Sequence, residues 1–117
     1  MDSYTNSLSR FLAHEEAEGK ERRDALSKRL ARAAEVLTQQ FPQITRVAVM
    51  GTFLSPAFAR VDSEVDVFVS GLPKSQYFGA FFLLELELQV PFFLICEEEL
   101  KASFHERLKQ ALVLYSQ

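Results

Sequence analysis

Two carboxylates and a glycine turn are the residues of this sequence best suited to chemistry. Glu64 and Asp66 are two positions apart, so a β-strand would place both side chains on one face. Gly51 and Thr52 close the preceding apolar run, where glycine lets the backbone approach a phosphate and the hydroxyl adds a donor. A carboxylate pair beside such a turn is typical of a site for a hard cation and a phosphate. The alternative is a pair of solvated carboxylates at a strand edge.

The elements that must position these residues are two predicted strands, residues 44–49 and 65–69, joined by a loop that contains Pro56. A third strand, apolar on both faces, is expected in the centre of the sheet and covered on both sides. The order of helices and strands predicts an α+β fold with a small mixed sheet flanked by helices. The later elements are a helix over 74–89, the third strand over 92–96, a helix over 97–110 with three glutamates in its first turn, and an edge strand over 111–115.

The N-terminal third is predicted to form a long helix over residues 14–40, because apolar residues recur there at spacings of three and four. Gly19 weakens this helix, so the segment before it is expected to be a separate or partner-dependent helix, with residues 1–10 as a frayed polar lead or a first helical turn. Pro42 disfavours helical geometry at Phe41 and marks the end. We expect one domain over residues 1–117, with a helical segment (1–41) and a core (44–117).

Composition narrows the functional classes. The chain has 117 residues and a net charge of -3, which disfavours direct nucleic-acid binding because that needs a concentrated basic surface. The most apolar region is interrupted by Glu85, Glu87 and Pro91, so no membrane span is expected. The lone Cys96 cannot form an internal disulfide and is expected to be a buried thiol. With no signal peptide in evidence, we expect a cytoplasmic protein.

The helix over 74–89 is more apolar than a single sheet requires. A helix that covers one sheet needs only one apolar stripe, whereas here apolar residues surround most of the helix. The surplus indicates an interaction surface. The alternative is a bulky helix buried between the sheet and the N-terminal helix. The residues that we assign to this partner surface are Tyr77, Phe78, Phe81 and Phe82.

These motifs together resemble a known family. Gly51-Thr52, eleven further residues and then Glu64-Val65-Asp66 look like the signature of the DNA polymerase beta nucleotidyltransferase superfamily, especially its minimal nucleotidyltransferase-domain members. The segments 70–73 and 113–115 are also similar to that family, and the resemblance covers most of the chain. It implies the palm-like nucleotidyltransferase fold.

The resemblance also implies site residues, cofactors and a partner. Glu64 and Asp66 would be catalytic ligands of Mg²⁺, while Gly51, Thr52 and Ser63 would bind a nucleoside triphosphate. Many such proteins are similar to antitoxins paired with HEPN-domain ribonuclease toxins. Some silence the toxin by transferring AMP from ATP to one of its tyrosines.

The chain departs from that family at two carboxylates. Glu64 replaces an Asp, and Phe93 stands where the third metal-binding Asp is expected, although a phenyl ring cannot bind Mg²⁺. We therefore favour an antitoxin or accessory subunit that acts by protein binding, with a HEPN-type toxin or a second copy as partner and possible absence of any cofactor. The alternative is an active Mg²⁺-dependent nucleotidyltransferase. Glu97, Glu98 or Glu99 would supply the missing oxygen if the third strand were shorter.

Overall fold

The structure is a computed structural model that describes the backbone of residues 2–51 and 65–117 and the side chains of residues 20–51 and 65–117. Its centre is a four-stranded sheet in the order β3-β2-β1-β4. β1 is antiparallel to β2 and β4, whereas β2 and β3 are parallel, so the mixed sheet and the α+β class are confirmed. The strands are β1 (Arg46–Gly51), β2 (Val65–Ser70), β3 (Phe92–Cys96) and β4 (Leu112–Ser116).

In the described part of the chain, three α-helices accompany the sheet: α1 (Asp2–Gln40), α2 (Tyr77–Leu88) and α3 (Ala102–Leu108). The helix end before Phe41 and Pro42 is confirmed. The predicted interruption at Gly19 is wrong, because α1 is continuous through it over 39 residues. One glycine costs only ~1 kcal/mol in a helix interior, and the long helix around it tolerates that. Among the described residues, none of the helices is both long and apolar enough to cross a bilayer.

Each face of the sheet packs against different helices. Alternate residues of β1 and β2, mainly valines, point to one face, where α1 and α2 cover them and form the larger core. The opposite face has a smaller core around Ala48, Phe68 and Leu108 of α3. α3 has seven residues, of which Leu108 is buried in this smaller core and Phe104 packs against it. The description of residues 1–117 as one domain stays a prediction.

The prediction that β3 is central and covered on both sides is wrong. β3 lies at the edge of the described sheet, and Phe93 is 56% exposed. Phe92, Leu94 and Cys96 point toward α1 and α2 and belong to or pack against the larger core, which accounts for their apolar character. On the other face Ile95 packs against the smaller core, whereas Phe93 is exposed.

The turn after β2 requires glycine. Gly71 has a φ of 85°, which residues with a side chain rarely adopt. A Cβ atom there would lie 2.3 Å from the carbonyl oxygen of Gln43, so this turn packs directly on the segment that leads into β1. The adjacent backbone N–H of Thr45 donates to the carbonyl of Ser70 at 2.9 Å, which fixes the start of β1 against the end of β2.

Candidate functional site

The register of the sheet aligns three residues in one row. Met50 of β1 is paired with Asp66 of β2, and Asp66 is paired with Phe93 of β3. Paired residues of neighbouring strands point to the same face, about 4.8 Å apart. This is the α3 face of the sheet, on which Met50 packs against the smaller core. Asp66 is half-buried there, between a thioether and a phenyl ring.

The row carries one carboxylate, that of Asp66. Phe93 stands on the strand beside Asp66, where the third carboxylate of the resembled family would be expected. Within residues 20–51 and 65–117, no group of three His, Cys, Asp or Glu side chains could hold a metal ion. Magnesium requires oxygen ligands, so the described residues of this row do not fit a two-metal centre.

Three of the predicted site residues, Thr52, Ser63 and Glu64, lie outside the described residues, so their roles stay predictions. Gly51 is described. It ends β1 opposite Val65 and has a φ of 154°, which favours glycine. That conformation is compatible with the predicted close approach of a phosphate to the backbone.

The glutamates at 97–99 lie at the opposite end of the same sheet face. Glu97 is 8% exposed, accepts a short hydrogen bond from the hydroxyl of Ser70, and pairs with Arg46 at 3.5 Å. Glu98 accepts a 2.6 Å hydrogen bond from the backbone N–H of Gly71. Four residues of strand separate Glu97 from Phe93, or ~13 Å. These glutamates therefore cannot replace the missing carboxylate, and that alternative is wrong.

The same contacts correct the predicted helix over 97–110. Residues Glu97–Glu99 form a 3-10 turn, and α3 begins only at Ala102. The carboxylates of Glu97 and Glu98 bind the end of β2 and its glycine turn instead of stabilising a helix N-terminus. Glu99 forms a 3.9 Å ion pair with Lys74, and we call the three glutamates Glu97–Glu99 the Glu97 cluster.

Replacing Glu97 with Ala is expected to lower the free energy of unfolding by ~1 to 3 kcal/mol, because Ser70 and the partly buried Arg46 lose their acceptor. Urea denaturation measures the change. Glu106→Ala is the matched control, since Glu106 pairs with Lys109 on the exposed surface and its loss should cost less than ~0.5 kcal/mol. Equal stability of the two variants would contradict a structural role for the Glu97 cluster.

Helix α2 exposes an apolar stripe on the side opposite its buried face. Phe78, Phe82 and Leu86 are 71%, 60% and 78% exposed and follow one another at intervals of four residues. The buried face consists of Ala80, Leu84 and Leu88. Successive residues four apart lie on one side of a helix, so the three side chains form a continuous surface that we call the exposed stripe.

The other two predicted interface residues point inward. The hydroxyl of Tyr77 donates a 2.7 Å hydrogen bond to the carbonyl of Leu94, and burial raises the pKa of this phenol. Phe81 packs on Phe92 with ring centroids 4.9 Å apart. Both belong to the residues packed against the larger core. The structure therefore divides the predicted surface into an exposed pair and an inward pair, and it adds Leu86.

An open hollow adjoins the exposed stripe at the C-terminal end of α2. It has a volume of about 640 Å³ and includes Leu86, which also belongs to the stripe. Gln89, with a φ of 57°, ends α2 in the left-handed conformation, and the chain turns there toward β3. The residues that line the hollow are Phe81, Glu85, Leu86, Gln89, Val90, Pro91 and Phe92.

The predicted buried thiol is confirmed. Cys96 is 8% exposed, and burial, followed by the negative charges of Glu99 and Glu98, raises its pKa. A raised pKa keeps the thiol protonated at neutral pH, so Cys96 is a poor nucleophile.

The fold of this chain is similar to that of a protein of known structure. It matches the crystal structure of a "putative nucleotidyltransferase" from Sulfolobus solfataricus with a TM-score of 0.57, over 86% of this chain and 88% of that one. The two sequences are 14% identical, so the likeness establishes the fold alone. No family model and no curated protein matches the sequence. The chain therefore has a nucleotidyltransferase fold.

Proposed function

We propose that this chain is a nucleotidyltransferase-like protein that acts by binding a protein partner and has little or no transferase activity. The single observation that carries the proposal is the pairing of Phe93 with Asp66 on parallel strands. In-line transfer of a nucleotide is served by two metal ions, which stabilise the attacking and leaving oxygens. A phenyl ring at this position removes an oxygen ligand and leaves an apolar group beside Asp66.

The exposed stripe supports a binding role. Aromatic side chains are enriched at protein interfaces and carry much of their binding energy. Phe78 and Phe82 are more than half exposed, and each has an edge-on ring contact with its neighbour Tyr77 or Phe81. The resemblance to minimal nucleotidyltransferases favours an antitoxin or accessory role, with a HEPN-type toxin as the partner. We expect the adjacent reading frame to encode a helical protein of that type.

The second candidate is an active Mg²⁺-dependent nucleotidyltransferase that transfers AMP from ATP to the partner. Asp66 at the start of β2, with Gly51 at the end of the neighbouring strand, favours it. In that case Asp66, with the predicted Glu64, would hold the metal, which would neutralise charge on the transferred group. The replacement of the third carboxylate makes this the weaker candidate.

Titration of the purified protein with ATP and the other nucleoside triphosphates, each with Mg²⁺, separates the two candidates. We expect no Mg²⁺-dependent heat in calorimetry and no AMP on the co-expressed product of the adjacent reading frame, while the two proteins still co-purify. Asp66→Asn removes the carboxylate at nearly equal side-chain size, and the complex of this variant with the partner should be as stable as that of the parent chain. Mg²⁺-dependent nucleotide binding that Asp66→Asn abolishes would establish the active enzyme instead.

A further inference from the structure

The exposed stripe is symmetric about its central residue. Phe78 lies four residues before Phe82 and Leu86 four residues after it, and all three side chains are more than half exposed. A helix rises 1.5 Å per residue, so the outer two lie about 6 Å on either side of the centre. An apolar row of this kind is complementary to its own copy when the copy runs in the opposite direction.

We propose that two copies of this chain pair through the exposed stripe, with their α2 helices antiparallel and a two-fold axis beside Phe82. This arrangement places Phe82 level with Phe82 of the second copy and Phe78 level with Leu86 of the second copy. Phe78 of each copy then meets Leu86 of the other, and this reciprocity of contacts is the condition for an isologous interface.

The charge next to the exposed stripe favours the antiparallel arrangement of the two α2 helices. Glu85 is the only charged residue between Phe78 and Leu86, and it is exposed. It lies three residues from the centre, so an antiparallel pair separates the two Glu85 positions by about 9 Å along the helices. That is close to the Debye length at physiological salt, which weakens their repulsion. A parallel pair would set them at the same level, where like charges repel.

The area of the stripe sets the strength of the pair. Its three side chains expose roughly 400 Å² on each copy, from the size of large apolar side chains. That is about half of the ~800 Å² per partner in a standard stable interface. The adjoining hollow shares Leu86 with the stripe but is also lined by the polar side chains of Glu85 and Gln89. We expect a reversible dimer that forms at micromolar concentrations and dissociates on dilution.

Disulfide trapping tests both the contact and its direction. A Phe82→Cys variant should oxidise to a covalent dimer, because residues at a two-fold axis of packed helices lie within disulfide range of their own copies. Glu106→Cys, exposed on α3 on the other face of the sheet, is the matched control. Cys96 is buried, so the parent chain should not cross-link.

A mixture of Phe78→Cys and Leu86→Cys chains reports the direction. We expect the mixed dimer to form at least tenfold faster than either self-linked dimer, whereas a parallel pair would self-link. Sedimentation of the parent chain should show a dimer that Phe82→Glu converts to a monomer. The proposal is overturned if the parent is monomeric at all concentrations, if Phe82→Cys links no faster than Glu106→Cys, or if Phe82→Glu remains dimeric. Partner binding at the same stripe is measured separately, by calorimetry with the purified partner, so a chain that is monomeric but binds its partner would overturn the dimer alone.

Discussion

Replacing Phe82 with Glu is expected to weaken binding of the protein partner at least ~100-fold while the domain stays folded. A central aromatic residue of an interface typically contributes ~2 to 4 kcal/mol, and a carboxylate in its place would be buried without a partner. Phe82 is 60% exposed in the free chain, so its loss removes little of the core. Calorimetry with the purified partner measures the affinity, and circular dichroism verifies the fold. Phe78→Glu should act in the same direction.

Two further variants make the test specific to the exposed stripe. Leu112→Glu introduces the same charge at a large apolar residue of β4 that is 45% exposed, and it should leave partner binding within about twofold. Phe81→Glu should destabilise the domain, because Phe81 packs on Phe92 and the larger core. Normal affinity of both Phe78→Glu and Phe82→Glu would place the partner elsewhere on the protein.

The sequence did not predict which apolar residues of α2 are buried and which are exposed. A helix with a single apolar stripe reveals its buried face by periodicity, but α2 is apolar on nearly all sides. The sequence therefore identified surplus apolar surface without showing which residues carry it. The sheet and α1 decide this: Leu84 and Leu88 are buried against them, while Phe82 and Leu86 face outward.

The strands show what local pattern can predict. The alternation in β1 and β2 predicted both strands, whereas the family resemblance implied the position of Phe93. The place of β3 in the sheet was not predicted correctly. Apolar residues on both faces of a strand favour a central position with both faces covered, whereas β3 lies at the edge of the described sheet. The pairing of β3 with β2 decides its place in the sheet, and Glu97 contacts Ser70 and Arg46 within a 3-10 turn instead of starting a helix. Both depend on residues distant in sequence.

If the exposed stripe serves both a partner and a second copy, the two must compete for it. Phe82 cannot be buried in two interfaces at once, so dimerisation lowers the concentration of chains able to bind the partner. A weak dimer of the kind that a stripe of this size allows would be displaced by a tighter partner. It would also keep apolar side chains from water when no partner is present.

Replacing Phe93 with Asp is expected to make the stability of the domain depend on Mg²⁺. The new carboxylate would stand about 4.8 Å from Asp66 on the neighbouring strand, where two like charges repel without a cation. Phe93 is 56% exposed, so the substitution itself removes little packing. A cation that binds only the folded state at ten times its dissociation constant adds ~1.4 kcal/mol of stability. For a domain of this size that is a rise of about 5 °C in Tm.

Thermal denaturation with and without Mg²⁺ measures this effect, and Phe93→Asn is the matched control because it removes the ring without adding charge. We expect the Tm of the parent chain and of Phe93→Asn to be unchanged by Mg²⁺ and that of Phe93→Asp to rise. Such a result would show that the backbone still holds two neighbouring strands at metal-binding distance and that one side chain blocks the site. An equal rise for the parent chain would show that Phe93 does not block a cation, and the case against catalysis would fail. No rise in any variant would mean that Asp66 and a neighbouring carboxylate are insufficient, so that more than Phe93 separates this chain from an active transferase.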